Sequence, residues 1–230
     1  MKQKVIFENL GLIDYKQAWE YQEKLLQRLV SEKSGNGNKN NSNHHLLFCE
    51  HPNVFTLGKS GTQNNLLINK KFLDKIDATY YKIDRGGDIT YHGPGQLVVY
   101  PIFDLDSFKI GLRSYINKLE DSISRVLREY NIIAGKLEGA TGVWLDTNNN
   151  SNTRKICAIG VRVSRSVTMH GLAFNINTDL RYFDYINPCG FTDKGVSSME
   201  NELGVKQNFS IVSKKLLQEL ETSFNLEILN

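Results

Sequence analysis

The sequence of 230 residues predicts an α+β fold, a mixed β-sheet with flanking helices. Two observations predict this class. Stretches of strand-like composition occur in clusters, and long helical segments bracket the clusters instead of alternating with single strands. The length fits one large domain, and no internal repeat or dividing linker is visible. We therefore expect residues 1–230 to form a single domain.

The first half of the chain is predicted to start with a strand at residues 4–8 and a helix after the candidate N-cap Asp14. One apolar stripe at helical spacing supports that helix: Ala18, Tyr21, Leu25 and Leu29. Residues 34–43 (SGNGNKNNSN) contain no apolar side chain, which predicts a flexible loop inside the domain. A weak helical pattern covers residues 69–76. Strands are predicted at residues 45–50, 54–57, 80–83 and 97–102.

The second half contains the clearest helical pattern, at residues 113–130. Apolar residues recur there at helical spacing: Leu112, Ile116, Leu119, Ile123, Val126 and Leu127. Residues 142–145 and 155–163 are predicted to form a hairpin around an Asn-rich turn. A strand at residues 171–176 and a closing helix at residues 210–224 complete the prediction.

Composition and charge exclude several classes of protein. A net charge of +3 without a run of Lys or Arg does not predict nucleic-acid binding. The N-terminal MKQKVIFENL has no apolar signal core, and no run of about 18 apolar residues predicts a membrane span, so we expect a cytoplasmic protein. Neither a P-loop nor a GxGxxG fingerprint between strand and helix occurs, which disfavours nucleotide binding. Three scattered cysteines, no CxxC and no HExxH predict neither a disulfide scaffold nor a metal site.

The most specialised stretch is RGGDITYHGPGQ at residues 85–96, followed by the apolar LVVYPI. Its four glycines let the backbone approach a ligand closely or adopt positive φ. Such a cluster next to a buried strand predicts the wall of a pocket. His92 lies within it, and a histidine in such a loop is more often a structural donor than a catalyst. Arg85 and Asp88 are close enough in sequence to pair with each other.

The best candidate for a nucleophile is Cys189, which lies between Pro188 and Gly190. Cys49 and Cys157 lie inside predicted strands, where a cysteine behaves as a small apolar residue. Cys189 instead lies in a loop whose neighbours restrict the backbone, a placement that suits a reactive thiol.

A cysteine with an ordinary pKa of about 8.5 is mostly protonated at neutral pH, so a nucleophilic thiol needs a nearby cation or base. Lys155 begins a strand that is otherwise apolar, which makes it one candidate for that role. His92 and His170 are equal competitors, and residue spacing alone does not choose among the three.

Six ordered segments, covering roughly residues 5–203, resemble the octanoyltransferases of lipoate biosynthesis. The segments are EHPNVFTLGKSG at 50–61, RGGDITYHGPGQLVVYPI at 85–102, ATGVW at 140–144, RKICAIGVRVSR at 154–165, MHGLAFNINTDLRYFDYINPCG at 169–190 and KGVSSM at 194–199. So many segments in the same order make a chance match very improbable.

The resemblance implies a catalytic domain with the fold of the biotin and lipoate protein ligases, in which helices cover the outer face of a mixed sheet. It implies that Cys189 forms an acyl-thioester and that Lys155 stabilises its thiolate. It further implies a substrate-binding set of Arg85, Gly86, Gly87, Asp88, Ile89, Thr90, Tyr91, His92, Ala158, Ile159, Gly160, Gly171, Leu172 and Ala173. No cofactor is implied.

The implied reaction moves an octanoyl or lipoyl group from acyl carrier protein to a lysine of a lipoyl domain. The implied acceptors are the E2 subunits of 2-oxoacid dehydrogenases and the glycine cleavage H protein, and the implied state is a monomer. Two alternatives remain, an ATP-dependent lipoate–protein ligase and a non-catalytic module that only binds acyl carrier protein or a lipoyl domain. Ser166 and Phe174 depart from the family pattern, and both positions are expected to affect local packing or the shape of the acyl pocket.

Overall fold

The computed structural model describes residues 2–35, 43–149, 151–187 and 194–229. The strands in these ranges are β1 (Gln3–Leu12), β2 (His44–Glu50), β3 (Val54–Leu57), β4 (Thr79–Lys82), β5 (Ile89–His92), β6 (Gln96–Ile102), β7 (Ala134–Leu137), β8 (Ala140–Leu145), β9 (Arg154–Ser164), β10 (Val167–Asn175), β11 (Gly195–Val196) and β12 (Leu226–Leu229). The α-helices are α1 (Tyr15–Lys33), α2 (Lys70–Lys75), α3 (Leu112–Glu129), α4 (Met199–Leu203) and α5 (Phe209–Phe224). Short 3₁₀ helices lie at Gln63–Asn65 and Leu180–Tyr185.

A sheet of nine strands, counted over the described ranges, forms the centre of the molecule. Its order is β12-β1-β2-β6-β10-β9-β8-β7, and β11 adds to β9. β1 runs parallel to both β12 and β2, whereas β2, β6, β10, β9, β8 and β7 form successive antiparallel pairs. The sheet is therefore mixed, and the predicted α+β class is confirmed.

Side chains of β6 point alternately to the two faces of this sheet and contribute to a separate core on each face. Leu97 and Val99 join the core formed with α3 and α5, whereas Val98, Tyr100 and Ile102 join the core formed with α1. Successive strand residues point to opposite faces, so a fully buried strand requires apolar residues at nearly every position. Helices therefore flank the sheet on both faces, α3 and α5 on one and α1 on the other.

A second, smaller sheet has the order β4-β3-β5. Its core contains Phe55 and Tyr91, and the Tyr91 ring stacks on that of Tyr182 with centroids 4.7 Å apart. Strand β5 was not predicted. The glycines and the proline on either side dominate the composition of residues 85–96 and indicate a loop. The short ITYH segment between them nevertheless alternates apolar and polar residues and contains β-branched and aromatic side chains, as strands do.

Most other predicted elements are confirmed with boundaries shifted by a few residues. Asp14 is the N-cap of α1, where its side chain accepts a hydrogen bond from the backbone N–H of Gln17. The predicted hairpin corresponds to the antiparallel pair β8 and β9. Of the predicted flexible loop at residues 34–43, residues 36–42 lie outside the described ranges. Among the helices described in this structure, none is both long and apolar enough to cross a membrane.

Candidate active site

A cavity of about 400 Å³ lies between the α1-side face of the larger sheet and the glycine-rich stretch. Strands β6, β9 and β10 supply its floor. The glycine-rich stretch and the 3₁₀ helix Leu180–Tyr185 supply its roof. Strand β8 and the segment that begins at Lys194 complete it at one end.

The floor brings together two of the predicted substrate-binding segments. In the antiparallel pair of β9 and β10, Ala158 lies opposite Ala173, Ile159 opposite Leu172 and Gly160 opposite Gly171, and all six residues line the cavity. Four of the six are glycine or alanine, which leaves room above the sheet for a ligand. A Cβ added to Gly171 would lie 2.2 Å from the carbonyl oxygen of Val99, so the close pairing of β10 with β6 also requires glycine there.

The roof contains most of the predicted residues of the glycine-rich stretch: Arg85, Gly87, Asp88, Ile89, Thr90 and His92. Gly86 contributes through its backbone, since its N–H donates to the carbonyl oxygen of Val161 at 2.9 Å and ties the roof to β9. Tyr91 lies outside the cavity. Its ring packs in the core of the smaller sheet, where its hydroxyl donates to Asn53 Oδ1 at 2.8 Å, because β5 alternates between the two sides.

Arg85 is buried and is held by oxygen acceptors of the smaller sheet. Its Nη2 donates to both the carbonyl oxygen and Oγ1 of Thr56, at 2.7 and 3.0 Å, and its Nη1 donates to the carbonyl oxygen of Gly86 at 3.0 Å. Asp88 accepts from the backbone N–H of Ile89 and from Asn65 Nδ2, both at 2.6 Å. Both charged side chains therefore help to shape the glycine-rich stretch.

His92 belongs to a buried chain of polar groups. Gln96 Nε2 donates to the Tyr91 carbonyl oxygen and to Asn175 Oδ1, at 3.1 and 2.8 Å, so Gln96 Oε1 accepts from His92 Nδ1–H at 2.7 Å. His92 Nε2 lies 3.5 Å from Thr56 Oγ1. Burial lowers the pKa of His92 to about 3, so the imidazole is neutral at physiological pH. These contacts match the structural role that the sequence favoured for His92.

Lys155 lines the cavity near its exposed end, where it lies opposite Trp144 in the pair of β8 and β9. Lys155 Nζ lies 4.5 Å from the centroid of the Trp144 ring, a cation–π geometry that favours the charged ammonium. Gly142 has a φ of +123°, and a Cβ at this position would lie 2.6 Å from the carbonyl oxygen of Cys157 and 3.5 Å from Lys155 Cδ and Cε. A glycine at position 142 is thus needed for the close approach of β8 to the Cys157 carbonyl oxygen of β9, and the Lys155 stem lies at ordinary contact distance.

The predicted nucleophile, Cys189, lies outside the described residues, as do its sequence neighbours in 188–193. The described residue before this segment is Asn187, whose N–H donates to the carbonyl oxygen of Asn65 at 2.8 Å. The described residue after it is Lys194, which lines the cavity together with Lys155.

His170 also lines the cavity, at the end away from Lys155. The side chain is 2 % exposed, and the residue has a φ of +60° within strand β10. Its Nε2–H donates to Asp84 Oδ1 at 3.2 Å, and Asp84 Oδ2 lies 2.6 Å from Arg162 Nη1. Burial lowers the pKa of His170, while the hydrogen bond from His170 lowers that of Asp84.

Other residues lining the cavity were not predicted: Tyr15, Gln96, Val98, Tyr100, Trp144, Asn175 and Phe183. A usable signal was present for three of them. Gln96, Val98 and Tyr100 lie at every second position of β6. Because alternate residues of a strand share a face, evidence that one of them faces the cavity predicts that all three do. Tyr15 comes from α1, and its stacking on His92, at 5.8 Å between ring centroids, depends on tertiary packing.

The two departures from the family pattern lie away from the cavity. Arg165 and Ser166 have φ values of +49° and +66° and connect β9 to β10, as in a two-residue type I′ turn. Phe174 is fully buried on the opposite face of β10, in the core with α3 and α5. Neither side chain lines the cavity, so an effect on local packing or on the shape of the acyl pocket stays a prediction.

Comparison with known proteins identifies the family. The model of the lipoyl protein ligase A/B catalytic domain matches residues 14–221. The chain belongs to this family. An octanoyltransferase of Bacteroides fragilis is 52% identical over 217 residues, which cover 94% of this chain and 96% of that protein. An octanoyltransferase of Flavobacterium johnsoniae is 50% identical over 232 residues, covering 99% of this chain and 100% of that protein.

Solved structures support the fold. A lipoate-protein ligase A bound with ATP has a TM-score of 0.68 at 13% identity, covering 100% of this chain and 88% of the other. Plasmodium falciparum LipL1 in complex with lipoate has a TM-score of 0.70 at 14% identity, covering 99% of this chain and 65% of the other. The predicted resemblance to octanoyltransferases, the ligase-like fold and the acyltransferase class are confirmed.

Proposed function

We propose that this protein transfers an octanoyl group from acyl carrier protein to a specific lysine of a lipoyl domain, through an acyl-thioester on Cys189. The main support is the combination of relatives named octanoyltransferase at about 50% identity with a small-residue cavity that Lys155 lines. The proposed unit is a monomeric, cytoplasmic single domain of residues 1–230, whose strands β1 and β12 lie side by side.

In the first half-reaction, the Cys189 thiolate attacks the carbonyl carbon of the carrier thioester. The bond from that carbon to the carrier sulfur breaks, and the leaving thiolate takes a proton from the Lys155 ammonium. The products are octanoyl-Cys189, a neutral Lys155 and the free carrier thiol. Backbone N–H groups near residues 155–160 or Gly190 are candidates to hold the developing oxyanion.

In the second half-reaction, the amine of the acceptor lysine attacks the acyl-thioester and forms the amide. The Cys189 thiolate leaves, and the proton lost from the amine returns to Lys155, which restores the resting state. Lys155 suits this role better than His92, because both His92 ring nitrogens face protein groups and burial lowers the pKa of His92 to about 3.

The cavity suits a saturated acyl chain. Val98, Ala158 and Ala173 provide an apolar or small surface along its floor, and each buried methylene contributes about 0.8 kcal/mol of binding free energy. We propose that residues 158–160 and 171–173 contact the chain from below and that the glycine-rich stretch contacts it from above. Tyr91 is not included in this contact set, because its ring packs in the core of the smaller sheet.

The partners follow from the reaction. Lys155 and Lys194 both line the cavity, and cations at its entrance complement an acidic acyl carrier protein. The proposed acceptors are the lipoyl domains of 2-oxoacid dehydrogenase E2 subunits and the glycine cleavage H protein. We propose no role for nucleic acid or membranes.

The test is to incubate the protein with octanoyl-acyl carrier protein without ATP and to measure its mass. We expect the gain of one octanoyl group on Cys189, and subsequent transfer of that group when a lipoyl domain is added. The Cys189→Ser variant should lack the labile thioester adduct, and Cys157→Ser is a matched control because Cys157 is buried.

The possible outcomes separate the candidate functions. Transfer that requires ATP and free lipoate would instead establish a ligase. Carrier binding without an adduct would establish a binding module. An equal adduct on Cys189→Ser would overturn the role of Cys189.

A further inference from the structure

The cavity has an exposed end and a closed end. Gly139, Thr141 and Gly195 line it near Lys155 and are exposed. From Lys155, the cavity follows β9 to Gly160, a distance of about 17 Å at roughly 3.3 Å per strand residue. Immediately beyond, the hydrogen bond from Gly86 N–H to the Val161 carbonyl oxygen joins the roof to the floor.

The surface of the cavity changes along this path. Pairing places Val98 opposite Ala173, and Ala173 opposite Ala158, so the middle of the floor is apolar. Closer to the closed end, Gly160 lies opposite Gly171, and neither has a side chain to cover the floor. The cavity is lined there by His170 and Tyr100, whose rings are in edge contact with centroids 6.5 Å apart. The closed end is therefore polar although the middle is not.

The backbone at His170 is strained in a way that brings the side chain to this position. Regular alternation would place His170 on the face of β10 that carries Leu172 and Phe174. Its φ of +60° is unusual for a residue with a side chain inside a strand, and its ring lies on the cavity face beside Tyr100. Such local strain is retained where the position of a side chain matters.

A chain of charged groups holds the ring in place. His170 Nε2–H donates to Asp84, Asp84 pairs with Arg162, and Arg162 Nη1 also lies 2.7 Å from Glu23 Oε2 on α1. The backbone N–H of His170 donates to Gln22 Oε1 at 3.0 Å. His170 Nδ1 is buried and has no hydrogen-bond partner within the described part of the chain. The ring that borders the cavity is thus polar and already carries one unsatisfied nitrogen, which makes it an unfavourable neighbour for further methylenes.

We propose that His170, together with Tyr100, forms a polar stop that limits the length of the acyl chain. This inference rests on the proposed function, which places the thioester at the Lys155 end and directs the methyl end toward His170. An extended octanoyl group measures about 9 Å from its carbonyl carbon to its methyl carbon, because each of its seven bonds, about 1.5 Å long, advances the zigzag chain by only about 1.25 Å. The remaining length of the cavity accommodates the Lys155 side chain and the reacting groups, so further methylenes meet the polar stop.

The test compares acyl chains of six to twelve carbons on the wild-type protein and on His170→Gly and His170→Asn, since glycine and asparagine both tolerate a φ of +60°. Asp84 keeps its Arg162 partner in both variants. We expect the ratio of kcat/KM for decanoyl over octanoyl carrier protein to rise about tenfold in His170→Gly and less in His170→Asn, in line with the discrimination that apolar pockets achieve per methylene.

His44→Ala is the matched control. His44 is also buried, but it packs against Phe103 and Phe108 outside the cavity, so its truncation should leave the ratio unchanged. An unchanged ratio in both folded His170 variants, or an equal change in His44→Ala, would overturn the polar stop.

A binding measurement separates this inference from the proposed function. Calorimetric titration with free hexanoate, octanoate, decanoate and dodecanoate requires no acyl transfer. The wild-type protein should bind octanoate more tightly than decanoate, and His170→Gly should reverse that order. Absence of ATP-independent transfer would refute the proposed function alone, whereas the same chain-length order in wild type and His170→Gly would refute the polar stop alone.

Discussion

Lys155 places a charge against an aromatic ring at the exposed end of the cavity. Its Nζ lies over the Trp144 ring at 4.5 Å, and its stem passes close to Gly142. This arrangement limits the side chain to few rotamers, so that the ammonium is positioned before a substrate arrives. Preorganised charge is the property that a residue needs in order to stabilise a thiolate and then to carry a proton.

The charge of Lys155 is therefore predicted to control the reactivity of Cys189. Lys155→Met keeps most of the apolar stem but removes the cation, so alkylation of Cys189 by iodoacetamide at pH 7 should slow by about tenfold or more. Cys49 and Cys157 are buried, and burial raises the pKa of both thiols, so the reaction reports on Cys189. Lys82→Met, an exposed change in β4, is the control, and equal alkylation rates in the two variants would contradict the prediction.

Among the elements, strand β8 positions Lys155 because its register against β9 shifts between Val143 and Trp144. The irregularity places Trp144 opposite Lys155, and Glu120 Oε1 on α3 accepts from the N–H of Gly142 at 3.0 Å. The helix on the far face of the sheet thus helps to hold a strand that borders the cavity.

We expect Gly142→Ala to lower the free energy of unfolding by about 2 to 4 kcal/mol, because the backbone disfavours a side chain and the new Cβ would approach the Cys157 carbonyl oxygen to 2.6 Å. Urea denaturation measures the change. Gly139→Ala, in the turn between β7 and β8, is the matched control. Gly139 also has positive φ, at +75°, but no heavy atom lies within 4 Å of its added Cβ, so its cost should be near 1 kcal/mol. Equal losses in the two variants would show that packing at Gly142 is unimportant.

Over the whole molecule, sequence patterns predicted the elements better than their assembly. The helices α1, α3 and α5 and the strand β6 follow from apolar periodicity that is visible locally. The smaller sheet was missed because β5 contains only four residues between glycine-rich flanks. Its pairing with β3, from Val54 opposite His92 to Leu57 opposite Ile89, is a long-range contact that no local pattern encodes.

The candidate site was predictable to a similar extent. Motifs at residues 85–92, 158–160 and 171–173 marked 12 of the 27 described residues that line the cavity, and the pairing of β9 with β10 explains why the last two motifs come together. Motifs do not report which way a side chain points. Tyr91 faces the core of the smaller sheet because β5 alternates, and His170 lines the cavity because of its positive φ. Both facts depend on backbone geometry.

The buried histidines predict how stability depends on pH. Burial lowers the pKa of His44 and His51 to about 4 and that of His92 to about 3, whereas an unfolded histidine has a pKa of about 6.5. Between pH 7.5 and 5.5 the unfolded chain therefore binds protons that the native state does not. Each of these three histidines should cost about 1.4 kcal/mol over this interval, so together they should lower the free energy of unfolding by about 4 kcal/mol.

Urea denaturation at a series of pH values measures this loss. The interval from pH 7.5 to 5.5 lies above the range in which carboxylates become protonated, so the loss there reports on the histidines. His44→Gln removes one titrating group and should reduce the loss by about 1.4 kcal/mol, because a glutamine binds no proton in either state. Lys82→Met, an exposed substitution that removes no histidine, should leave the slope unchanged. A free energy of unfolding that stays constant from pH 7.5 to 5.5 would mean that these histidines become protonated in the native state, and that the polar chain around His92 is open to water.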